Sequence, residues 1–147
     1  MNLLVVNLKT YEQITVVPPP SLSSVDHYFT SVTWVNDVTV SITWMNRVQN
    51  ISLVTKCSPP AYRCAEVYQE KAVNGWVENR GAPHFSKAGD SMVVIRPVQD
   101  SSAGFWPQIV QVDVSGDTPS NDLPTSLTHG QFEVTKILGW DEARHYV

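Results

Sequence analysis

Cys57 and Cys64 flank Pro59-Pro60, and of all the side chains in this sequence they are the pair whose spacing points most directly to chemistry. A short, Pro-containing strand-to-strand turn suits a disulfide, which would add about 2.5 kcal/mol by the chain-entropy relation. The other reading is two reduced, buried thiols. Asn50-Ile51-Ser52 is an acceptor pattern for an N-linked glycan, placed where a strand opens beside a polar turn. His27, His84, His129 and His145 show neither His-x-x-x-His nor Cys/His spacing. They read as turn and strand-end residues, and no metal site or cofactor is expected. Asp141 and Glu142 are neighbours, and neighbours on a strand face opposite ways, so a solvated turn fits better than an acid and base pair. Gly89-Asp90-Ser91 lacks the second Gly of a Gly-x-Ser-x-Gly nucleophile elbow, and that motif occurs nowhere in the chain. No catalytic residue is assigned. The five Trp, at 34, 44, 76, 106 and 140, could form a sugar-binding or aromatic-cage surface, but their strand positions predict core for most of them.

These residues must be positioned by strands. Twenty-two Val, eleven Thr and six Ile stand against eight Leu and seven Ala, a balance that favours sheet. Ten Pro are spread along the 147 residues and rule out a helical bundle. At 42% hydrophobic and 16% charged the chain is that of a folding protein. Its net charge of -4, with no cluster of Lys and Arg, excludes the electrostatic footprint of a nucleic-acid binder. The longest apolar runs, such as Leu3 to Val6 and Met92 to Ile95, are too short for a membrane helix or for the core of a signal peptide. No signal or anchor is read in this chain.

Val38, Val40, Ile42 and Trp44 alternate with Thr39, Ser41 and Thr43, which predicts a strand paired with 31–35 across an Asn36-Asp37 turn. Strands at 50–57 and 63–70 complete four antiparallel strands within 28–70. A second group follows: a short strand and Gly turn at 83–90, strands at 91–98 and 105–114, and a short one at 124–128. A third begins with a strand over 131–140, turns at Asp141-Glu142 and enters another strand at Tyr146-Val147. Asn2 to Leu8 and Glu12 to Val17 read as the last two strands of an earlier group. The first turns of the three groups recur at about 52 residues, the spacing of four-stranded propeller blades. An evenly spaced sandwich or barrel is the alternative.

The segments Thr33-Trp34-Val35, Trp44-Met45-Asn46-Arg47-Val48-Gln49-Asn50-Ile51-Ser52, Gly75-Trp76-Val77, Pro83-His84-Phe85-Ser86 and Thr128-His129-Gly130-Gln131-Phe132-Glu133-Val134 resemble, in order and spacing, the β-propeller of the dipeptidyl peptidase IV family. The Trp-x-x-Arg-x-Gln-Asn-x-Ser string is the most specific of them. The resemblance implies an all-β fold: a partial β-propeller of about two complete four-stranded blades plus two half blades. Residues 1–20 would end one blade, 28–70 and 75–128 would be blades, and 131–147 would start a further, truncated one.

It further implies a parent that is a type II membrane or secreted glycoprotein, extracellular or at the cell surface. An α/β-hydrolase domain outside this chain would remove dipeptides from peptide substrates after a penultimate Pro or Ala. The expected partners are the rest of the propeller and that domain; a homodimer of the parent is consistent with it, and nucleic acid is not a partner. Arg80 falls where the family's propeller contributes a Phe and an Arg to the extended substrate pocket. Here the loop is shorter and reads Glu78-Asn79-Arg80-Gly81, without the aromatic residue. The paired glutamates that would bind a substrate's amino terminus have no counterpart in the chain. Inactive family members, resembling channel auxiliary subunits, form the rival reading, with an unrelated extracellular binding repeat behind it. This chain alone is expected to have no peptidase activity.

Overall fold

The computed structural model describes residues 3–102, 104–120 and 123–147. Asn2, expected to open the first strand, lies outside them. The described strands are β1 (Leu3–Val6), β2 (Gln13–Val16), β3 (His27–Trp34), β4 (Val40–Asn46), β5 (Ile51–Ser58), β6 (Arg63–Lys71), β7 (His84–Phe85), β8 (Ser91–Gln99), β9 (Phe105–Asp113) and β10 (Thr125–Ser126). A single turn of 3-10 helix spans Pro20–Leu22, and the described residues contain no α-helix. β1 and β2 pair as a hairpin; β3-β4-β5-β6 form a first four-stranded sheet and β10-β9-β8-β7 a second, all antiparallel.

The turns follow from local side-chain chemistry. Asn36 Oδ1 accepts hydrogen bonds from the amides of Val38 and Thr39, at 3.0 and 2.8 Å, and Val35 N–H reaches Thr39 O at 2.9 Å. The predicted two-residue Asn36-Asp37 turn is therefore longer, and β4 starts at Val40: the Asn side chain satisfies amides that a tight hairpin would have put in the ladder. In the Phe85-Ser86-x-x-Gly89-Asp90 turn, Ser86 Oγ donates to Asp90 Oδ1 at 2.7 Å and accepts from the amides of Asp90 and Ser91, each at 3.1 Å. Pro97 and Pro107 face each other across β8 and β9. Neither can donate to a ladder, so this register suits a pair that exchanges no hydrogen bonds; Pro107 O points outward and accepts the Val134 amide at 2.8 Å.

Alternation along the strands sends side chains to two faces, and both faces of each sheet are covered. On the first sheet Ile42, Trp44, Leu53 and Cys57 pack against Val16 and Leu22, with Leu3 and Val5 of the hairpin at the margin. The Trp44 indole N–H is satisfied inside this layer by Thr55 Oγ1 at 3.0 Å. Val54 and Val67 point the other way and meet Met92, Val94, Val110, Val112 and Val114 of the second sheet and its end. Val93 and Ile95, one residue out of step with Met92 and Val94, pack on the far face against Ile137, Val134 and Trp140. Each such Val, Leu or Ile side chain contributes about 1.5–3 kcal/mol of burial, and a one-residue slip in β8 would exchange the two layers.

The strand predicted over 131–140 is not formed. Val134, Ile137 and Trp140 turn inward at intervals of three, and among the described residues the regular pairing nearby is an isolated bridge from Asp141 to Tyr146, in place of the second predicted strand. The sequence alternates well enough for a strand, but no neighbouring strand among the described residues offers it a ladder, so packing on Ile95 and Ile109 decides its course. The Trp expectation is corrected as well. Trp44 alone is buried, while Trp34 is 57% and Trp76 69% exposed, because Trp34 ends edge strand β3 and Trp76 lies in the connection after β6.

The Cys57–Cys64 disulfide is present, and the two residues are direct register partners on β5 and β6. Lys71 ends the first sheet, and a connection over 72–83 leads into the second.

Candidate functional site

Arg80 sits in that connection, which is held down where Val77, 6% exposed, donates its amide to Gln49 O at 2.7 Å. The same hydrogen bond ties the Gly75-Trp76-Val77 segment to the turn that carries the Gln49-Asn50 pair. Next to Arg80 the chain passes through Gly81 at φ +103, and Asn79 Oδ1 accepts the Gly81 amide at 3.3 Å. The guanidinium is thereby laid between two carboxylates: Nη1 is 2.5 Å from Glu133 Oε1, and Nη2 pairs with Glu78. The hydrogen bond from Arg80 to Glu133, then that to Glu78, raises its pKa above the ordinary range, so it stays cationic. With two carboxylates to one guanidinium the cluster carries net negative charge.

A cleft of about 300 Å³ opens beside it, lined among others by Arg80, His84, Arg96, Lys136 and Leu138. Arg96 Nε lies 2.6 Å from Glu70 Oε2 across the seam between the sheets, with side chains 15% and 22% exposed, and its guanidinium stands 5.4 Å from the centre of the Tyr68 ring. Burial, partly offset by Arg96, pushes the Glu70 carboxyl above its ordinary range. This arrangement can hold a polar chain segment by hydrogen bonding. No Ser, Thr or Cys is among the described residues that line it.

Ser91 belongs to the Ser86 turn, where its amide donates to Ser86 Oγ at 3.1 Å. His27 contacts Val25 O through Nδ1 at 2.7 Å and packs edge-on against Trp44; His145 sits at φ +59 in the Asp141–Tyr146 turn. Glu142 Oε1 accepts the Lys87 amide at 2.9 Å while Asp141 pairs with Arg144 at 3.2 Å, so the adjacent carboxylates serve separate turns. No cluster of His, Cys, Asp and Glu suited to a metal ion occurs among the described residues. Asn50 lies at the mouth of the β4–β5 turn, where its Oδ1 accepts from Asn46 Nδ2 at 2.7 Å.

Sequence reasoning did not find Glu133 as the partner of Arg80 or Glu70 as the partner of Arg96. Glu133 was part of a recognised segment, but a separation of 53 residues leaves no local signal of the pairing.

The sequence model of the dipeptidyl peptidase IV (DPP IV) N-terminal region matches residues 1–147. Inactive dipeptidyl peptidase 10 of Rattus norvegicus is 31% identical over 144 residues, covering 97% of this chain and 18% of that protein. Dipeptidyl peptidase 4 of Sus scrofa is 33% identical over 88 residues, 54% of this chain and 12% of the relative. A crystal structure from Bacteroides ovatus, described as a dipeptidyl aminopeptidase IV, superposes with a TM-score of 0.75 at 17% identity over 97% of this chain and 21% of its own. That likeness shows the same propeller fold. The chain thus spans about a fifth of the length of such relatives. Its layered antiparallel sheets and its match along the whole length place it in the dipeptidyl peptidase IV N-terminal region family.

Proposed function

We propose that this chain is the propeller section of a dipeptidyl-peptidase-IV-like serine exopeptidase that releases N-terminal dipeptides, with the catalytic residues supplied by an α/β-hydrolase domain elsewhere in the parent. The family match over the whole chain carries the reading. Residues 1–20, 28–70, 75–128 and 131–147 are assigned to successive blades, supported by the face-to-face packing of the hairpin, the two sheets and the 131–140 segment. The propeller borders the peptide site, and Arg80 is assigned to its extended pocket. With Glu78 and Glu133 already on its guanidinium, Arg80 there acts through position and shape more than as a free cation. The parent is assigned to the cell surface or the extracellular space, in keeping with the disulfide. No helix among the described residues is long and apolar enough to cross a membrane.

A second reading has an observation in its favour. The relative that covers 97% of the chain is an inactive dipeptidyl peptidase, whereas the match to dipeptidyl peptidase 4 of Sus scrofa covers 54%. On that reading the parent binds a membrane protein and does not cleave peptides. Turnover of a Gly-Pro chromogenic substrate by the full-length parent decides between them. Activity lost on changing a hydrolase-domain Ser supports the enzyme, and a well-folded parent without turnover supports the auxiliary subunit.

A further inference from the structure

At the end of the seam opposite Arg80, the Asn36 turn, the β5–β6 turn and the Gly89 turn enclose a second cleft, of about 400 Å³. It is lined by Asn36, Thr39, Lys56, Ser58, Arg63 and Asp117, together with small residues. Register explains why the cations meet there. Lys56 pairs with Ala65 and Ser58 with Arg63, so Lys56, Ser58 and Arg63 share the sheet face that looks toward the second sheet. Thr39 joins them through a 3.1 Å hydrogen bond between its hydroxyl and that of Ser58.

The charge in this cleft is not balanced. Lys56 is half-buried, and its Nζ donates to two neutral carbonyls, Val114 O at 2.5 Å and Gly89 O at 3.2 Å. An ammonium has three donors, so one remains. None of the ion pairs among the described residues includes Lys56 or Arg63. Asp113 feels Lys56 only as the weakest of the influences on its carboxyl, which Ser115 holds below its ordinary range. Asp117 is the one carboxylate among the described residues that line the cleft. Two cations to one acid is the reverse of the chain as a whole, which carries -4. Directly across from Lys56 in the register, on the same face, the hydroxyl of Ser41 is buried without a hydrogen-bond partner. Half-buried positive charge without a counter-charge is costly, and an anion bound beside it offsets that cost.

We propose that this cleft binds a compact oxyanion, a carboxylate or a sulfate-type group, with Lys56 and Arg63 supplying the charge and the Ser58 and Thr39 hydroxyls the remaining donors. The site is independent of the peptidase reading. The group could be a free inorganic anion or the acidic side chain of a peptide, and the two are separated by probe. Isothermal titration calorimetry on the full chain at constant ionic strength uses sodium sulfate in one arm and acetyl-glutamate amide in the other. Saturable binding in either arm, weakened about fivefold or more by Arg63→Gln, is the expected result, since each charge-assisted contact carries at least that much. Sulfate alone binding identifies a free anion, and the glutamate derivative alone binding identifies an acidic peptide. Arg63 is exposed and makes no ion pair, so its variant keeps the fold even where Lys56→Met does not. No saturable heat in either arm, or binding unaffected by Arg63→Gln, overturns the proposal.

Discussion

Lys56 Nζ lies 2.5 Å from the carbonyl oxygen of Val114, a contact that joins two sheets across 58 residues of sequence. Together with the 3.2 Å hydrogen bond to Gly89 O, it closes one end of the seam whose interior is otherwise aliphatic. Replacing Lys56 by Met keeps the stem and leaves both carbonyls without this donor. The expected loss is about 1–2 kcal/mol, the cost of orphaned acceptors in a half-buried site. Urea denaturation measures it, and an unchanged midpoint would mean that water substitutes fully for the ammonium.

Gly89 has φ +75, and a Cβ built there would stand 2.8 Å from Cγ1 of Val35 on the first sheet. Gly89→Ala therefore meets two penalties, a left-handed backbone costing about 1–2 kcal/mol and a contact too close to keep. Adding Val35→Ala should relieve the second and not the first. Equal stability of Gly89→Ala with and without Val35→Ala would show that the turn simply moves away.

Glu70 makes stability depend on pH in a defined direction. Its folded-state pKa is raised, chiefly by burial, so the folded chain holds this proton more tightly than the unfolded chain does. The corresponding stability is present below the ordinary carboxylate value and lost as pH rises through the raised one. Glu70→Gln removes that loss. Relative to wild type it should become more favourable in denaturation series as pH rises from the ordinary carboxylate range through the raised one. A difference that is flat, or of opposite slope, rules out burial as the dominant influence on this carboxyl.

The Asn50-Ile51-Ser52 pattern predicts a glycan on Asn50 when the parent passes through the secretory pathway. It stands at a turn between Asn46 and β5, half-buried, with its Oδ1 held by Asn46 Nδ2. Asn50→Gln should increase the gel mobility of the secreted parent, and the same shift should follow glycosidase treatment of the wild type. Identical mobility of the variant and the untreated wild type means that the site is unused.

The strands of the two four-stranded sheets and the neighbourhood of Cys57 and Cys64 were legible in the sequence because each depends on short-range properties. Alternation at Val40, Ile42 and Trp44 and the Pro59-Pro60 pair between the cysteines act within one or two turns of chain. The tertiary structure decided what the alternation left open. Both faces of the inner strands are buried, so period two could say that Trp44 and Met45 point apart but not what each would meet. The Asn36 turn lengthened because a side chain competed for its amides. The 131–140 segment, strand-like by composition, is packed as an irregular layer because strand structure needs a partner ladder that no local property of the segment supplies. Arg80 was visible as a candidate, yet its engagement by Glu133 was not, and neither was the meeting of Lys56 with Val114. Those contacts join residues 53 and 58 positions apart, and they arise only when one sheet is laid on the next.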